Sequence, residues 1–139
     1  MKILVVGSGG REHAITWRLA NDPVKHELFC APGNAGTASI ATNVDVGAED
    51  VAAVTAWARA NNPDLVVVGP EAPLVKGLVD ELSKIGIPAF GPVASGAKME
   101  GSKRFAKEVM DAAKVPTGKA EVHTDPVAAK ASLAKFGLP

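Results

Sequence analysis

Two hydrophobic patterns alternate along the first ninety or so residues. Short β-branched runs have the length and composition of buried strands, and longer stretches repeat apolar positions every three or four residues, as helices do. Residues 3–6 (ILVV) predict a first strand and residues 11–21 a helix, with Ile15 and Leu19 one turn apart and Pro23 beyond its end. Residues 27–30 predict a second strand, and Val44 and Val46 mark a short third. Residues 50–60 predict a helix with Val51, Val54 and Ala58 on one side. Residues 65–68 (LVVV) are apolar on both faces, as a strand in the interior of a parallel sheet must be. Residues 74–85 predict one continuous helix with a stripe of Val75, Leu78, Val79 and Leu82, and residues 88–90 a last short strand. Strand–helix–strand alternation of this kind predicts an α/β fold: a parallel sheet with helices on both faces.

After Pro92 the pattern changes. Ser102 is placed to cap a helix running to about Lys114, with Phe105, Val109 and Ala113 in register, ended by Val115 and Pro116. Residues 117–123 predict a single strand. Asp125 followed by Pro126 is a helix start with proline at its first position, and that helix runs to Phe136. This places a boundary in residues 92–98, with a unit of residues 1–97 and a unit of residues 98–139 that buries too little to form a domain alone.

Composition narrows the function classes. The 139 residues suffice for one compact domain and part of a second. Lys plus Arg and Asp plus Glu are both 15, so the formal net charge is zero and nothing in bulk favours nucleic acid. Cys30 is the only cysteine, which excludes an internal disulfide and suits a reducing cytoplasm. It reads as a small buried apolar residue, and Trp17 and Trp57, both on predicted helices, as packing groups. No run reaches membrane-spanning length, no signal-peptide core follows the N-terminus, and no histidines, cysteines or carboxylates show metal-ligand spacing.

Ligands on open parallel sheets sit outside the carboxyl ends of the strands, so candidate chemistry belongs in the loops there. Gly7-Ser8-Gly9-Gly10-Arg11 follows the first strand and opens a helix. Glycines let backbone approach a ligand, and free N–H groups at a helix start favour an anion; the same loop also serves simply to turn the chain. Asn34, after the second strand, is either a ligand contact or a turn former. Glu71, after residues 65–68, either accepts sugar hydroxyls or favours its helix start. His13 is either a packed side chain or a base, and His26 and His123 read as structural or solvated. Lys103 lies at a helix start, the electrostatically wrong end for a cation unless a phosphate comes near.

Four segments then combine. GSGGREHA at 7–14, APGNAGT at 31–37, VGPEAPL at 68–74 and EGSKRFAK at 100–107 occur in an order and spacing that resembles the phosphoribosylamine–glycine ligase family, within the ATP-grasp ligases. The resemblance implies a Rossmann-like N-terminal substrate-binding domain over residues 1–97 and the beginning of an ATP-grasp domain over 98–139. It implies a reaction in which ATP, glycine and 5-phosphoribosylamine give glycinamide ribonucleotide, ADP and phosphate through a glycyl phosphate. It assigns the sugar phosphate to the loop of Gly9, Gly10 and Arg11, substrate contact to Asn34, ribose hydroxyls to Glu71 and an ATP contact to Lys103. It implies ATP with Mg2+ or Mn2+, small-molecule partners, a monomeric cytoplasmic enzyme, and neither nucleic acid nor membrane. It points to no catalytic residue. The family pattern continues with a strand, a second glycine-rich lysine loop and metal-binding carboxylates, so the expectation for these 139 residues by themselves is no turnover. Two other readings are a stand-alone phosphosugar-binding module and a fragment of an NAD-binding protein. Against the first stands the unfinished second unit. Against the second stands Cys30-Ala31-Pro32-Gly33-Asn34, where a dinucleotide site needs a carboxylate.

Overall fold

The structure, a computed structural model, describes residues 1–136. The chain forms two compact units, Met1–Gly101 and Ser102–Pro139.

In the first unit β1 (Lys2–Gly7) leads through α1 (Gly10–Ala20) to β2 (Glu27–Pro32) and β3 (Thr42–Asn43). Then α2 (Val51–Asn61) leads to β4 (Leu65–Val68), and α3 (Glu71–Val75) and α4 (Leu78–Lys84) to β5 (Ala89–Phe90) and α5 (Ala94–Gly101). The strands are parallel throughout, in the order β3-β2-β1-β4-β5. Val5 sits in register with Cys30 on one side and Val67 on the other. Alternation along β1 divides its side chains between two layers. Leu4 and Val6 join Val66, Val68, Val54, Ala58, Leu78 and Leu82 in a core beneath α2 and α4. Val5 and Cys30 lie on the opposite face, under α1, where the Thr16 hydroxyl meets the Cys30 sulfur at 3.2 Å. The expected parallel sheet with helices on both faces is therefore present. The chain leaves β1 outward to β2 and β3, then returns to place β4 on the other flank of β1. The connections after β1 and β4 depart to opposite faces, and in open sheets the ligand crevice belongs at such a reversal, outside the carboxyl ends of the two strands.

Several elements differ from expectation, each for a local reason. The single helix over residues 74–85 is two helices. Gly77 takes a left-handed backbone (φ 86), its N–H closes α3 on the Leu74 carbonyl at 3.0 Å and its own carbonyl accepts the Glu81 N–H that begins α4. An apolar stripe is blind to such a break, and Val75 is left 41% exposed, its side chain against Gly101 rather than in the core. On α1 the buried face carries Glu12 and Thr16, while Ile15 and Leu19 are only half-buried. Trp17 is 56% exposed and not a packing group, whereas Trp57 does pack, its ring 5.2 Å from that of Phe29. The third strand is Thr42–Asn43, just before Val44 and Val46, which are half-buried against the core. Helix α5 has no strong apolar period. The Asp80 carboxylate accepts its Ala94 N–H at 2.8 Å, a long-range cap that local sequence does not announce.

In the second unit α6 (Lys103–Ala112) starts at Ser102, whose hydroxyl accepts the Phe105 N–H at 3.3 Å. α7 (Pro126–Ser132) starts at Asp125, which accepts the Ala128 N–H at 2.8 Å, and it passes into a 3₁₀ turn over Leu133–Lys135. Residues 117–123 are not a strand: among the described residues no neighbouring strand offers them a ladder, and the Thr117 hydroxyl and Gly118 carbonyl instead accept from the Lys107 ammonium.

Candidate functional site

The crevice between β1 and β4 is built from three strand-end loops that hydrogen-bond to one another. The Gly69 N–H donates to the Val6 carbonyl at 3.0 Å, and the Gly33 N–H to the Gly7 carbonyl at 3.1 Å. Asn34 ties the loop after β2 to the one after β1. Its amide nitrogen donates to the carbonyls of Ser8 (2.9 Å) and Gly9 (3.3 Å), and its amide oxygen accepts the N–H groups of Gly36 and Thr37 at 2.8 and 3.0 Å. These bonds occupy the hydrogen-bonding capacity of its side chain, so Asn34 acts in this geometry as a brace. The His13 ring packs over Gly36, where a Cβ would lie 2.6 Å from the imidazole.

Helix α1 begins at Gly10 on an extended Gly9 cap. The Gly9 N–H is already bound, donating to the Glu12 carboxylate at 2.8 Å. Among the described residues the N–H groups of Gly10 and Arg11 have no acceptor, as expected for the first turn of a helix. Gly10 has open space on the side where a Cβ would sit. Arg11 donates from Nε to Glu12 Oε1 at 2.7 Å and its side chain is largely exposed. Its pKa is raised first by that hydrogen bond, against the opposing effect of burial, and further by the negative charges of Glu12, Glu71 and Glu100. Glu71 is the first residue of α3, exposed, with Pro70 as the cap before it. The crevice therefore offers two free backbone amides and a guanidinium at one lip and a solvent-facing carboxylate nearby. That arrangement can take an anion at the start of α1 and hydroxyl groups at Glu71.

The residues expected from sequence at this edge, Gly9, Gly10, Arg11, Asn34 and Glu71, are brought together by the loops after β1, β2 and β4. Lys103 is the exposed first residue of α6 and belongs to the second unit. Sequence reasoning missed Glu12. It is only 3% exposed, and it fills the space between the loops after β1 and β4: a Cβ on Gly7 would lie 2.5 Å from Glu12 Cγ, and one on Gly69 would collide with its carboxylate. Its spacing was the available signal, since a glutamate three residues after a helix cap commonly reaches back to the cap N–H. A groove of about 610 Å³ lies elsewhere, along α2 and α4, with Thr55, Arg59, Lys76 and Glu81 on its walls. The Lys76 ammonium there pairs with Glu49 at 3.0 Å, and nothing in the groove resembles the free amides of the crevice.

Cys30 is fully buried, and burial pushes its thiol above the ordinary value of 9.0 despite hydrogen bonds with Thr16 and Thr37. Iodoacetamide at pH 8 is expected to leave the native thiol unmodified and to alkylate it once urea unfolds the chain. Because the unfolded thiol loses its proton first, stability should decline as pH rises past that ordinary value. Rapid alkylation without denaturant would contradict this placement.

Among the described residues no group of three or more His, Cys, Asp or Glu is placed to hold a metal ion. Among the described residues no helix is long and apolar enough to cross a membrane.

Residues 1–100 match the family model described as phosphoribosylglycinamide synthetase, N domain. Over its whole length the chain is 53% identical to a phosphoribosylamine–glycine ligase of Streptomyces coelicolor, covering 33% of that protein. It is 45% identical to the Escherichia coli K12 ligase, again over 33% of that protein. The crystal structure of the Thermotoga maritima phosphoribosylamine–glycine ligase superposes with a TM-score of 0.72 at 30% identity, over 99% of this chain and 31% of that one. The chain thus spans about a third of the length of the curated relatives it matches.

Proposed function

The chain belongs to the phosphoribosylglycinamide synthetase N-domain family, and from that premise we propose that its first unit holds the phosphosugar substrate of a ligase. Its relatives are named for joining phosphoribosylamine to glycine, and the proposed reaction is that joining, giving glycinamide ribonucleotide as a step of purine biosynthesis. ATP is converted to ADP and phosphate by way of a glycyl phosphate. One observation carries the reading. Free amides at the start of α1 and the Arg11 guanidinium share the β1–β4 crevice with an exposed carboxylate, Glu71, which suits a phosphate and a sugar at one site.

In this reading the Gly10 and Arg11 amides and the Arg11 side chain take the 5-phosphate. The Gly9 amide does not, because Glu12 holds it. Glu71 accepts ribose hydroxyls, and Asn34 contributes by bracing the loop. Lys103 is proposed to meet ATP. Mg2+ or Mn2+ accompanies ATP in the reading, but the described residues supply no group that fits such an ion, so no step is assigned to a metal here. The part of the reaction carried by these residues is recognition, and the 139-residue chain by itself is expected to show no turnover.

Calorimetric titration of the chain tests this. Ribose 5-phosphate should bind weakly, with a dissociation constant on the order of 1 mM. Ribose should bind at least about tenfold more weakly, since it lacks the charge-assisted bonds of the phosphate. NAD should not bind. Equal affinity for ribose and ribose 5-phosphate would remove the phosphate site, and tight NAD binding would favour a dinucleotide protein instead.

A further inference from the structure

Glu12 is the buried charge that the substrate reading does not use. A carboxylate withdrawn from water costs several kcal/mol unless it is paired. Both of its oxygens are engaged, Oε2 by the Gly9 N–H at 2.8 Å and Oε1 by Arg11 Nε at 2.7 Å. It also sits at the positive end of its own helix. Glycines at positions 7 and 69, one in each loop, leave the slot it fills. Two loops and a helix start are thus shaped around one side chain that is almost wholly withdrawn from solvent.

We propose that Glu12 is a positioning residue for the phosphosugar site, a role that rests on the reading given above. Its carboxylate holds Arg11 by Nε, which leaves the terminal guanidinium nitrogens free to take a phosphate. Arg11 lies within the field of two other carboxylates, Glu71 and Glu100, neither of which bonds it. Without the hold of Glu12, the exposed guanidinium is free to pair with either. Pairing with Glu71 would remove the phosphate donor and the sugar acceptor together. Glu12 thereby keeps Arg11 at the start of α1 and keeps Glu71 available. It also neutralises its own charge against Arg11, so that a carboxylate close to an anion site does not repel the ligand.

The test is a pair of titrations with ribose 5-phosphate and inorganic phosphate on wild-type chain, Glu12→Gln, Arg11→Ala and the double variant. Glutamine keeps the shape and an acceptor for the Gly9 N–H but loses the charge. Glu12→Gln is expected to weaken both ligands by about tenfold, the scale of one charge-assisted hydrogen bond. In the Arg11→Ala background the same change should weaken neither ligand further, and should relieve the repulsion of an unpaired carboxylate, because Glu12 acts through Arg11. A role confined to holding the fold would lower affinity equally in both backgrounds, and that result would overturn the proposal. So would wild-type affinity in Glu12→Gln, with the phosphosugar reading left standing. If Glu12→Gln is not folded at the titration temperature, Glu12→Asp, which keeps the charge but shortens its reach, takes its place in the same cycle with the same two outcomes. A wild-type chain that binds neither ligand would overturn this proposal and the reading beneath it together.

Discussion

Alanine at Gly69 is expected to destabilise the first unit by about 2–3 kcal/mol, the cost of forcing an extra methyl into a filled interior. The backbone is not the reason. Gly69 does not have the left-handed conformation that Gly7, Gly33 or Gly77 adopts, so an alanine could take its φ and ψ. The obstacle is Glu12, whose carboxylate and Cγ occupy the position of the added methyl. Glu12 has little room to yield, because its oxygens hold Gly9 and Arg11 and because Gly7 closes the other side. Urea unfolding measures the loss as a shift in midpoint at unchanged slope. A double-mutant cycle isolates the cause: once Glu12→Ala has emptied the slot, Gly69→Ala should cost about 0.5 kcal/mol or less, a coupling of roughly 2 kcal/mol. Equal costs in both backgrounds would show that Gly69 is glycine for a reason unrelated to Glu12.

Leu78→Ala is expected to be at least as damaging, about 2–5 kcal/mol, because Leu78 is fully buried at the head of α4 and its truncation leaves a cavity. Val75→Ala should change stability by no more than about 0.5 kcal/mol, since Val75 is 41% exposed at the end of α3. The contrast tests the break at Gly77. In one straight helix Val75 and Leu78 would share a stripe, and their truncations would cost comparable amounts. Matched large losses in thermal or urea unfolding would therefore argue for a continuous helix.

What was legible in the sequence follows from which interactions are local. The runs ILVV at β1 and LVVV at β4 were readable because an interior parallel strand must be apolar on both faces, and Ser102 and Asp125 were readable caps because each bonds an N–H three residues on. Gly77 was not readable, since a hydrophobic period continues through a break that only backbone conformation reveals. α5 depends on Asp80, fourteen residues away from Ala94 along the chain. The segment 117–123 has strand-like composition but no partner strand among the described residues, and a lone strand has no ladder to stabilise it. At the candidate site the strand-end loops were legible from topology alone, and so was their convergence on one sheet edge. The division of labour within them was not. The loop of Gly7 read as a turn or as room for a ligand, and both Gly7 and Gly69 prove to be room for Glu12. Asn34 read as a contact or a turn residue, and its side chain joins two loops. Both facts depend on atoms that meet only after the sheet has assembled.

The central claim is that the amides opening α1 and the carboxylate opening α3 face one phosphosugar. Amide chemical-shift mapping of the 15N-labelled chain during titration with ribose 5-phosphate tests it most directly. The largest shifts are expected at Gly10 and Arg11, with smaller ones at Glu71, and none along the α2–α4 groove at Thr55, Arg59 or Glu81. Shifts centred on that groove, or silence at Gly10 and Arg11 when ligand binds, would contradict it.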